Sequence, residues 1–373
     1  MKILMTSYEL PPIGGGGGQV AKTLAMKLAA LGDEVDLITM GFTGLPRVER
    51  HNRMVIHRIP NLRRDLRSCS VPAAASYLAC AMPILPRLLR GRRYDLVHSH
   101  FIFPDGWLGL YASWMAKVPL ILTSHGTDVP GHNPHRVRLL HACLKPAWRL
   151  ITSRASRIVC PSELLESRVK QANPDARTTV IPNGLDPERF DPAVPKTSRV
   201  LVVARLVESK GVQYLLRALQ GFRPDYEIVL VGEGPFGDDL RKLAKELSVR
   251  VSFTGWLNND SAELKRLFET SRIFAFPSLA ENCPVTLLEA MAAGCAVITT
   301  RSTGCSEVVG DAALLVPPRD PSAIRAALDR LADSRELTDT LGAAARARVE
   351  QSFSWKQLVD RYREIYRSHA GNA

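Results

Sequence analysis

The chain has 373 residues, enough for two domains of ordinary size that each bury a core. Its hydrophobic content of 46% and charged content of 23% are globular values. The seven cysteines form no Cys-x-x-Cys pair, so the sequence indicates neither a zinc site nor a disulfide framework, and we expect a cytoplasmic protein. The net charge of +12 lies wholly in residues 1–185, which hold 24 Lys and Arg against 12 Asp and Glu, whereas residues 186–373 hold 25 of each.

Short β-branched runs alternate with longer helical patterns along the chain, which predicts parallel sheets with helices on both faces. The strands predicted in the first half are residues 2–6, 35–39, 94–99, 120–124, 157–160 and 179–181. Those predicted in the second half are residues 199–204, 227–231, 251–253, 272–276, 296–299 and 313–316. Two groups of strands favour two doubly wound domains, and three prolines in the segment 186–195 mark a linker. We therefore predict domains at residues 1–186 and 187–352, followed by a C-terminal helix within residues 353–373.

Five consecutive glycines, residues 14–18, lie between the first predicted strand and a helix expected to begin near Val20. Glycines let a ligand approach the backbone closely, and the N-terminus of a helix attracts anions. The spacing differs from Gly-x-Gly-x-x-Gly, so a nicotinamide site is not expected. The segment is predicted to be an anion-binding loop, with a mobile linker as the alternative.

Residues 47–93 contain eleven arginines and only two acidic residues, Glu49 and Asp65. A mostly apolar stretch, residues 71–85, runs between these arginines, and no apolar run is expected to be long enough to span a bilayer. Basic flanks around an apolar segment favour docking on an anionic membrane surface. The alternative is a solvated, arginine-rich face beside a core helix. A nucleic-acid partner is not expected, because no RNA- or DNA-binding motif is present and aromatic residues make up only 6%.

Three histidines lie at the ends of predicted strands, where parallel α/β sheets bind their ligands. His98 and His100 end one strand, and His125 follows the next, with Gly126 beside it. A lone histidine is more often structural than functional. The position of His125 at a strand end favours a role in a site, while both roles stay open for His98 and His100.

Arg205 and Lys210 follow the predicted strand 199–204. Arginine is a planar fork that suits phosphate oxygens, and lysine is a mobile point charge. Together they are suited to neutralising a nucleotide diphosphate, the leaving group of a sugar donor. The alternative is a pair of surface charges after a strand. No acidic metal-binding cluster accompanies them.

Glu281 and Glu289 form the most informative pair in the chain. Glu281 lies in a loop after the predicted strand 272–276, and Glu289 lies on a helix that Pro284 is expected to open, since proline suits a first helical turn. The unpaired N–H groups of that turn suit a phosphate. Carboxylates beside an anion site are suited to accept hydrogen bonds from sugar hydroxyls. The alternative is a solvated loop glutamate and a glutamate on an open helix face.

Taken in order, these motifs resemble those of the family 4 glycosyltransferases, retaining enzymes with the GT-B fold. The resemblance rests on Pro11-Pro12 with the glycines at 14–18, His125-Gly126-Thr127-Asp128, Ile181-Pro182-Asn183-Gly184-Leu185-Asp186, residues 205–211, Gly232-Glu233-Gly234-Pro235 and the Glu-x7-Glu spacing of Glu281 and Glu289. It implies two facing Rossmann-like doubly wound domains with a cleft between them. The first domain would lie on the acceptor side, the second would bind a nucleotide sugar, and the final helix would pack back on the first. Cys283-Pro284 departs from the Phe-Gly pair of many members, and Pro284 cannot donate a backbone hydrogen bond to the donor sugar.

The resemblance also implies roles for individual residues. Glu289 would hold the ribose hydroxyls, and Glu281 would hold the transferred sugar and help an oxocarbenium-like transition state. Asn183 and Gly184 would form a turn with a minor role. The implied catalytic residues are Glu281, His125, Arg205 and Lys210. The implied donor-binding residues are Gly15, Gly16, Gly17, Arg205, Lys210, Glu281, Asn282, Thr286, Leu287 and Glu289. The implied acceptor-side residues are Asp128, His98 and His100.

We therefore expect a retaining glycosyltransferase that moves a hexosyl group from a UDP- or GDP-sugar to a glycan or lipid-linked acceptor, without a cofactor or a metal. Cell-surface polysaccharide or glycolipid synthesis is the expected context, and the basic first half favours a peripheral position on the inner face of the cell membrane. One alternative is a sugar-nucleotide epimerase on the same fold, which needs no acceptor. The other is a catalytically idle, membrane-associated scaffold, which would bind a nucleotide without turnover.

Overall fold

The computed structural model describes residues 1–66, 68–130, 138–223, 225–301 and 303–370, with the side chains of residues 138–143 excepted. The chain divides into two compact units. Unit 1 comprises Met1–Pro182 and Trp355–Ala373, and unit 2 comprises Asn183–Ser354. These boundaries lie within a few residues of those drawn from the linker prolines.

Unit 1 is built on an eight-stranded sheet. Its strands are β1 (Lys2–Thr6), β2 (Glu34–Met40), β3 (Val48–His51), β4 (Met54–Ile59), β5 (Leu96–His100), β6 (Leu120–Thr123), β7 (Arg157–Cys160) and β8 (Thr178–Val180). Their order is β3-β4-β2-β1-β5-β6-β7-β8, and every pair is parallel except β3 with β4. The order reverses between β1 and β5, so the loops that follow these two strands flank a crevice of the kind that binds ligands.

Two strands of this sheet, β3 and β4, were not predicted. They lie in the arginine-rich segment, whose charge masked a strand pattern. The edge strand β3 is mostly exposed, whereas β4 buries Met54, Ile56 and Ile59. A short, charged edge strand protects a sheet from pairing with other chains. The six strands predicted for the first half are all present.

The helices of unit 1 cover both faces of its sheet. They are α1 (Gly16–Ala30), α2 (Val71–Leu89), α3 (Asp105–Ala116), α4 (Arg138–Arg154), α5 (Glu163–Ala172) and a C-terminal helix described below. The first helix begins at Gly16, within the glycine run, rather than near Val20 as expected. The helix α2 begins at Ser70, whose hydroxyl accepts a hydrogen bond from the Ala73 N–H.

By length and composition, α2 is long and apolar enough to cross a membrane. The expectation that no apolar run reaches such a length was therefore wrong. The core helix of a soluble protein can have the same length and apolar composition. In unit 1, α2 buries Ala73, Tyr77, Ala81 and Leu85. These residues are spaced four apart, so they form one buried face of the helix.

The C-terminal helix, α13 (Trp355–Ala370), belongs to unit 1 although it follows unit 2 in the chain. It packs on α1 and β5. The Arg361 guanidinium donates a hydrogen bond of 2.6 Å to the Val180 carbonyl. Tyr362 and Tyr366 are almost completely buried, so this helix completes the core of unit 1 near β5.

Unit 2 is built on a six-stranded parallel sheet. Its strands are β9 (Thr197–Val203), β10 (Glu227–Val231), β11 (Ser252–Gly255), β12 (Ser271–Phe276), β13 (Ala296–Thr300) and β14 (Ala313–Val316). Their order, β11-β10-β9-β12-β13-β14, is that of a dinucleotide-binding Rossmann sheet. All six predicted strands are present, with ends shifted by up to a few residues. The ligand crevice of such a sheet lies where the order reverses, between β9 and β12.

Helices cover both faces of the second sheet. They are α6 (Val212–Ala218), α7 (Gly237–Glu246), α8 (Ala262–Thr270), α9 (Val285–Ala292), α10 (Gly304–Val309), α11 (Pro321–Asp333) and α12 (Arg335–Ser352). Separate apolar clusters lie on the two faces, one around Leu201 and Phe274 and the other around Val200 and Ile273. Strands buried on both faces explain the continuous apolar runs in the sequence.

Candidate active site

The crevice of unit 2 brings together residues that the sequence placed after two different strands. Lys210 lies in the short turn Glu208–Lys210 after β9, and Glu281 lies in the loop after β12. Their side chains form an ion pair. The Ser278 hydroxyl donates a second hydrogen bond, of 2.8 Å, to the same oxygen of Glu281. Because the side chains are only 23% and 12% exposed, this pair is shielded from water on most sides.

The two loops are held in register by their backbones. The Ser209 carbonyl accepts a hydrogen bond of 2.8 Å from the Leu279 N–H, and the Ser278 hydroxyl oxygen lies 3.2 Å from the same carbonyl. Gly211 has a φ of +70°, and a Cβ there would lie 2.0 Å from the Pro277 carbonyl oxygen. Only glycine allows this close approach. The position of the Lys210 ammonium beside Glu281 therefore depends on Gly211.

Arg205 lies two residues after the end of β9 and is half-buried. Its segment is tied to the loop after β10, because the Leu206 N–H donates to the Glu233 carbonyl at 2.9 Å. Gly232 and Gly234 lie against the carbonyls of Ala204 and Leu206, at distances that leave no room for a Cβ. The two glycines of the Gly-Glu-Gly-Pro motif therefore allow the loop after β10 to pack closely against the backbone segment that carries Arg205.

Glu289 lies on α9 and is 4% exposed, so it does not lie on an open helix face as expected. The Arg189 guanidinium donates a hydrogen bond of 3.1 Å to its Oε1 atom. Burial raises the pKa of the Glu289 carboxyl to about 7, and the opposite charge of Arg189 limits that rise. The sequence analysis did not identify Arg189. Its only local signal is a charged residue beside the apolar Phe190 in the first half of the linker segment 186–195.

The residues between Glu281 and Glu289 differ in their exposure to solvent. Pro284 directly precedes the first residue of α9, Val285, and has an extended backbone, so it lies just before the first helical turn in which the sequence placed it. Asn282 is buried, and its backbone carbonyl would lie 2.0 Å from a Cβ on Gly304. Thr286 is half-buried in the first turn of α9. Leu287 points into the hydrophobic core, and its N–H donates to the Pro284 carbonyl, so neither group faces solvent.

Asn183 contributes to the same region of unit 2. Its side-chain amide donates a hydrogen bond of 2.6 Å to the Cys283 carbonyl. Asn183 therefore anchors the loop that leads into α9, although the structure has no turn at Asn183 and Gly184, contrary to the expectation from the sequence. Cys283 itself is buried in the core, where burial raises the pKa of its thiol to about 12.

In unit 1 the glycine-rich loop is held by a carboxylate that the sequence analysis missed. Gly15 precedes α1, and its N–H donates a hydrogen bond of 2.9 Å to the Glu9 carboxylate. The Gly14 N–H donates to the Leu66 carbonyl at 2.6 Å. A negative charge is favourable at a helix N-terminus, which explains why Glu9 lies there. Its signal in the sequence is its position just after β1, where the crevice of this sheet begins.

Gly16 and Gly17 form the first turn of α1. A Cβ on Gly17 would lie 2.5 Å from the Phe101 ring and 3.0 Å from the His125 ring, whereas Gly16 has open space around it. The glycine run therefore lets the loop after β1 lie directly against the loops after β5 and β6.

The three histidines form a connected group at the end of this sheet. The Nδ1 atom of His100 and the Nε2 atom of His125 are 3.1 Å apart. His98 is bonded through Nε2 to the Thr123 hydroxyl at 2.8 Å and through Nδ1 to the Tyr366 hydroxyl of α13 at 2.7 Å. Burial lowers the pKa of His98 and of His125 to about 3 and that of His100 well below its usual range. The rings are therefore neutral, and in the His100–His125 contact one ring donates and the other accepts.

Asp128 and Asp105 are buried carboxyls that organise the surrounding loops. Asp128 accepts backbone hydrogen bonds from His125, Gly126 and Ile102 at 2.7–3.0 Å, so it orients the His125 loop. Asp105, which the sequence analysis missed, accepts hydrogen bonds from the Tyr8 N–H at 2.7 Å and the Tyr77 hydroxyl at 3.1 Å. Burial raises the pKa of both carboxyls.

The structure separates the arginines of residues 47–93 into two groups. Some hold the fold: Arg58 pairs with Glu49 at 2.7 Å, Arg92 pairs with Asp36 at 2.7 Å, and Arg63 donates to the Leu66 carbonyl at 3.1 Å. Arg67 lies outside the described residues. The arginines with exposed side chains are Arg47, Arg50, Arg53, Arg64, Arg87, Arg90 and Arg93. On α2, exposed apolar residues precede Arg87 on the same face, and they are Val71, Ala75, Ala79 and Pro83.

Comparison with known proteins gives consistent matches over both halves of the chain. Residues 14–189 match the family model of glycosyltransferase family 4, and residues 197–334 match the model of glycosyl transferases group 1. An uncharacterized glycosyltransferase of Methanocaldococcus jannaschii is 27% identical, with 98% of each chain covered. A UDP-Gal:alpha-D-GlcNAc-diphosphoundecaprenol alpha-1,3-galactosyltransferase of Escherichia coli is 28% identical, covering 76% of this chain and 77% of the relative.

Solved structures show the same fold at lower identity. Sucrose-phosphate synthase from Thermosynechococcus elongatus superposes with a TM-score of 0.85 at 23% identity, with all of each chain covered. HepE of Anabaena, in complex with UDP-glucose, superposes with a TM-score of 0.79 at 21% identity, covering 99% of this chain and all of that one. The two parallel-sheet α/β domains and these neighbours confirm the predicted GT-B fold.

Proposed function

Because the chain belongs to the glycosyltransferases, with residues 14–189 matching the family 4 model and residues 197–334 matching the group 1 model, we propose that it is a family 4 enzyme that transfers a hexosyl group from a UDP- or GDP-sugar. The proposed acceptor is a glycan or a lipid-linked glycan, in cell-surface polysaccharide or glycolipid synthesis. The observation that carries the proposal is the ion pair of Lys210 with Glu281 in the crevice between β9 and β12. A cation and a carboxylate held side by side there suit a donor whose diphosphate is anionic and whose sugar carries hydroxyls.

The proposed donor site lies in unit 2. Lys210 and Arg205 neutralise the diphosphate as it leaves, Glu281 accepts hydrogen bonds from the transferred sugar, and Glu289 accepts them from the ribose. In the structure Glu281 already binds Lys210, so a donor entering the crevice exchanges part of this ion pair for its own contacts. UDP is the favoured nucleotide because the Escherichia coli relative uses UDP-Gal and the Anabaena neighbour contains UDP-glucose.

The proposed reaction retains the configuration at the anomeric carbon and needs no metal. In this scheme the acceptor hydroxyl attacks on the face from which the diphosphate leaves, and the leaving phosphate takes its proton. The charges of Arg205 and Lys210 stabilise the leaving group, a role that fixed charges perform well in a water-poor site. The neutral His125 ring contributes a hydrogen bond to the donor sugar rather than a charge.

The proposed acceptor surface is on unit 1, and it contacts an anionic membrane at the cytoplasmic face. Support comes from the exposed side of α2, which presents Val71, Ala75, Ala79 and Pro83 in line with Arg87. Apolar residues next to arginines suit the boundary between lipid headgroups and acyl chains. The Escherichia coli relative acts on a diphosphoundecaprenol-linked sugar, which supports a lipid-linked acceptor here.

Two measurements test the function. Melting temperatures of the purified chain with UDP, GDP and ADP identify the base, because a ligand that binds only the folded state raises apparent stability. We expect UDP or GDP to raise the melting temperature more than ADP. Incubation with UDP- and GDP-hexoses, with and without lipid-linked acceptors, then separates the activities. A new glycosidic bond that keeps the α configuration supports the proposal, an isomerised donor sugar indicates an epimerase, and binding without any product indicates an idle scaffold.

A further inference from the structure

Arg189 contacts two elements of unit 2 from the short turn Pro187–Arg189, which lies within the linker segment 186–195. Its Nη1 atom donates a hydrogen bond of 3.1 Å to Oε1 of Glu289 on α9. Its Nη2 atom donates to the Asn259 carbonyl in the loop before α8 and lies 3.8 Å from the Asp260 carboxylate. The guanidinium also lies 5.3 Å from the centre of the Phe190 ring. These contacts fix the arginine in one place and orientation.

Glu289 has little other support for a negative charge. Its neighbours Leu288 and Ala290 on α9 are completely buried apolar residues. Within the described residues, its second oxygen, Oε2, accepts no hydrogen bond, and the charges that act on its pKa are those of Arg189 and Asp260. On the helices packed against α9, Lys265 pairs with Glu269, and Arg346 pairs with Glu350 and donates a hydrogen bond of 2.6 Å to the Ala292 carbonyl at the end of α9. Glu307 lies on α10.

We propose that Arg189 is a positioning residue for the donor ribose: it holds the Glu289 carboxylate ionised and fixed through Oε1, and leaves Oε2 to accept from the ribose hydroxyls. This inference rests on the proposed function, since it concerns the same donor site. Arginine suits the task because it stays charged at every relevant pH and its several N–H groups bind Glu289 and Asn259 at once. Without it, the buried carboxyl would hold its proton to higher pH, and a protonated carboxyl is a poorer acceptor.

If Arg189 blocked the ribose site instead of positioning Glu289, its removal would change nucleotide affinity in the opposite direction. If the arginine merely occupied the place of the ribose, its removal would strengthen nucleotide binding, because no internal contact would have to be broken. If the arginine positions Glu289, its removal weakens binding of ribonucleotides and leaves analogues without ribose hydroxyls unaffected. The sign of the effect therefore decides between the two.

The test compares UDP with 2′,3′-dideoxy-UDP by calorimetry between pH 5.5 and pH 8.5, and GDP with its dideoxy form in the same way. The ratio of the two dissociation constants isolates the ribose hydroxyls, because the phosphates of the two ligands titrate alike. In the wild type we expect the ribose preference to fall as the pH falls through about 7, where the Glu289 carboxyl takes up a proton. In Arg189→Gln we expect this midpoint to rise by about one to three pH units, with at least a tenfold loss of ribose preference at pH 7.

Three further variants make the test specific. Arg189→Lys keeps the charge and is expected to restore the midpoint of the wild type in part. Asp260→Asn removes the negative charge near Glu289 and is expected to move the midpoint to lower pH, the opposite direction. Arg325→Gln is the matched control, because Arg325 also pairs with a carboxylate, Asp329, and donates to backbone carbonyls. It is expected to leave the ribose preference unchanged.

Several outcomes would overturn the inference. An unchanged midpoint in Arg189→Gln, or tighter UDP binding, shows that Arg189 does not support Glu289. If Arg189→Gln does not fold, opposite shifts in Arg189→Lys and Asp260→Asn still support the inference, and the absence of both overturns it. A wild type that binds UDP or GDP without any ribose preference refutes the assignment of Glu289 to the ribose, and with it the inference. A wild type that binds neither nucleotide refutes the proposed donor.

Discussion

Replacing Glu289 with glutamine is expected to stabilise the protein at alkaline pH and to leave its stability nearly unchanged at acid pH. Burial raises the pKa of this carboxyl from 4.5 to about 7, although Arg189 lies 3.1 Å away. A carboxyl with a higher pKa in the folded state contributes stability that is fully present below the unfolded pKa and is lost as the pH rises through the folded pKa. The neutral amide of the Glu289→Gln variant does not titrate, so it loses nothing over this range.

The size of the effect follows from the pKa difference. Each unit of pKa corresponds to 1.36 kcal/mol, so the change from 4.5 to about 7 corresponds to about 3 kcal/mol in the unfolding free energy. Glu289 is only 4% exposed, so solvent does not screen most of this effect. Part of this loss of unfolding free energy already occurs below pH 5, because the carboxyl of the unfolded chain titrates at 4.5. Between pH 5 and pH 8.5 we therefore expect the wild type to lose about 2 kcal/mol relative to Glu289→Gln.

Urea unfolding of both proteins at pH 5 and pH 8.5 measures this difference directly. Glu227→Gln is the control, because Glu227 is a 51% exposed glutamate that pairs with Arg199. The control is expected to show no comparable change with pH. A stability difference between wild type and Glu289→Gln that is the same at both pH values, or that favours the wild type as the pH rises, would refute the reasoning. A confirmed effect would mean that the protein keeps a destabilising charge for its function.

The remaining predictions concern the crevice and the basic surface. Lys210→Ala is expected to lower kcat by about a hundredfold, the usual effect of removing one group that stabilises transition-state charge, and a normal rate in a turnover assay would reject the diphosphate role. Gly211→Ala is expected to lower the melting temperature well beyond Gly221→Ala. Both positions have a positive φ, but only a Cβ at 211 meets the Pro277 carbonyl, and equal losses would show that the close approach is unimportant. A quadruple exchange to glutamine is expected to reduce binding to anionic vesicles in flotation assays, since each basic residue near such a surface contributes about 1 kcal/mol, and unchanged binding would remove the membrane proposal. The four exchanged residues are Arg64, Arg87, Arg90 and Arg93.

The four arginines exchanged in the last prediction were chosen from the structure, because a count of charges does not show which arginines are exposed. Charge counting treats all eleven arginines of residues 47–93 alike. The structure shows that Arg58, Arg63 and Arg92 are engaged in contacts that hold unit 1 together. Exchanging these three would mix a loss of stability with a loss of membrane binding, so the variant leaves them unchanged.

The sequence by itself determined the architecture and the positions of most candidate residues along it. Periodicity identified twelve of the fourteen strands in the described part of the chain, because a strand buried on both faces is recognised from a short run of apolar residues. Parallel strands place their carboxyl ends at one edge, so residues that follow strands are brought to that edge whatever the strand order. For this reason Lys210 and Glu281 were both expected in one site, and the structure brings them into contact.

Tertiary structure decided which residues become partners and which side chains are buried. Arg189 and Glu289 are 100 positions apart, and no local pattern indicates that a turn within the linker reaches α9. The same holds for Tyr77 with Asp105, for Tyr366 with His98, and for the burial of Glu289. Local sequence fixes backbone preferences within a few residues, whereas a pairing between distant side chains depends on strand order and on helix packing. The pKa values of these buried groups follow from the packing, so they too were decided only when the chain had folded.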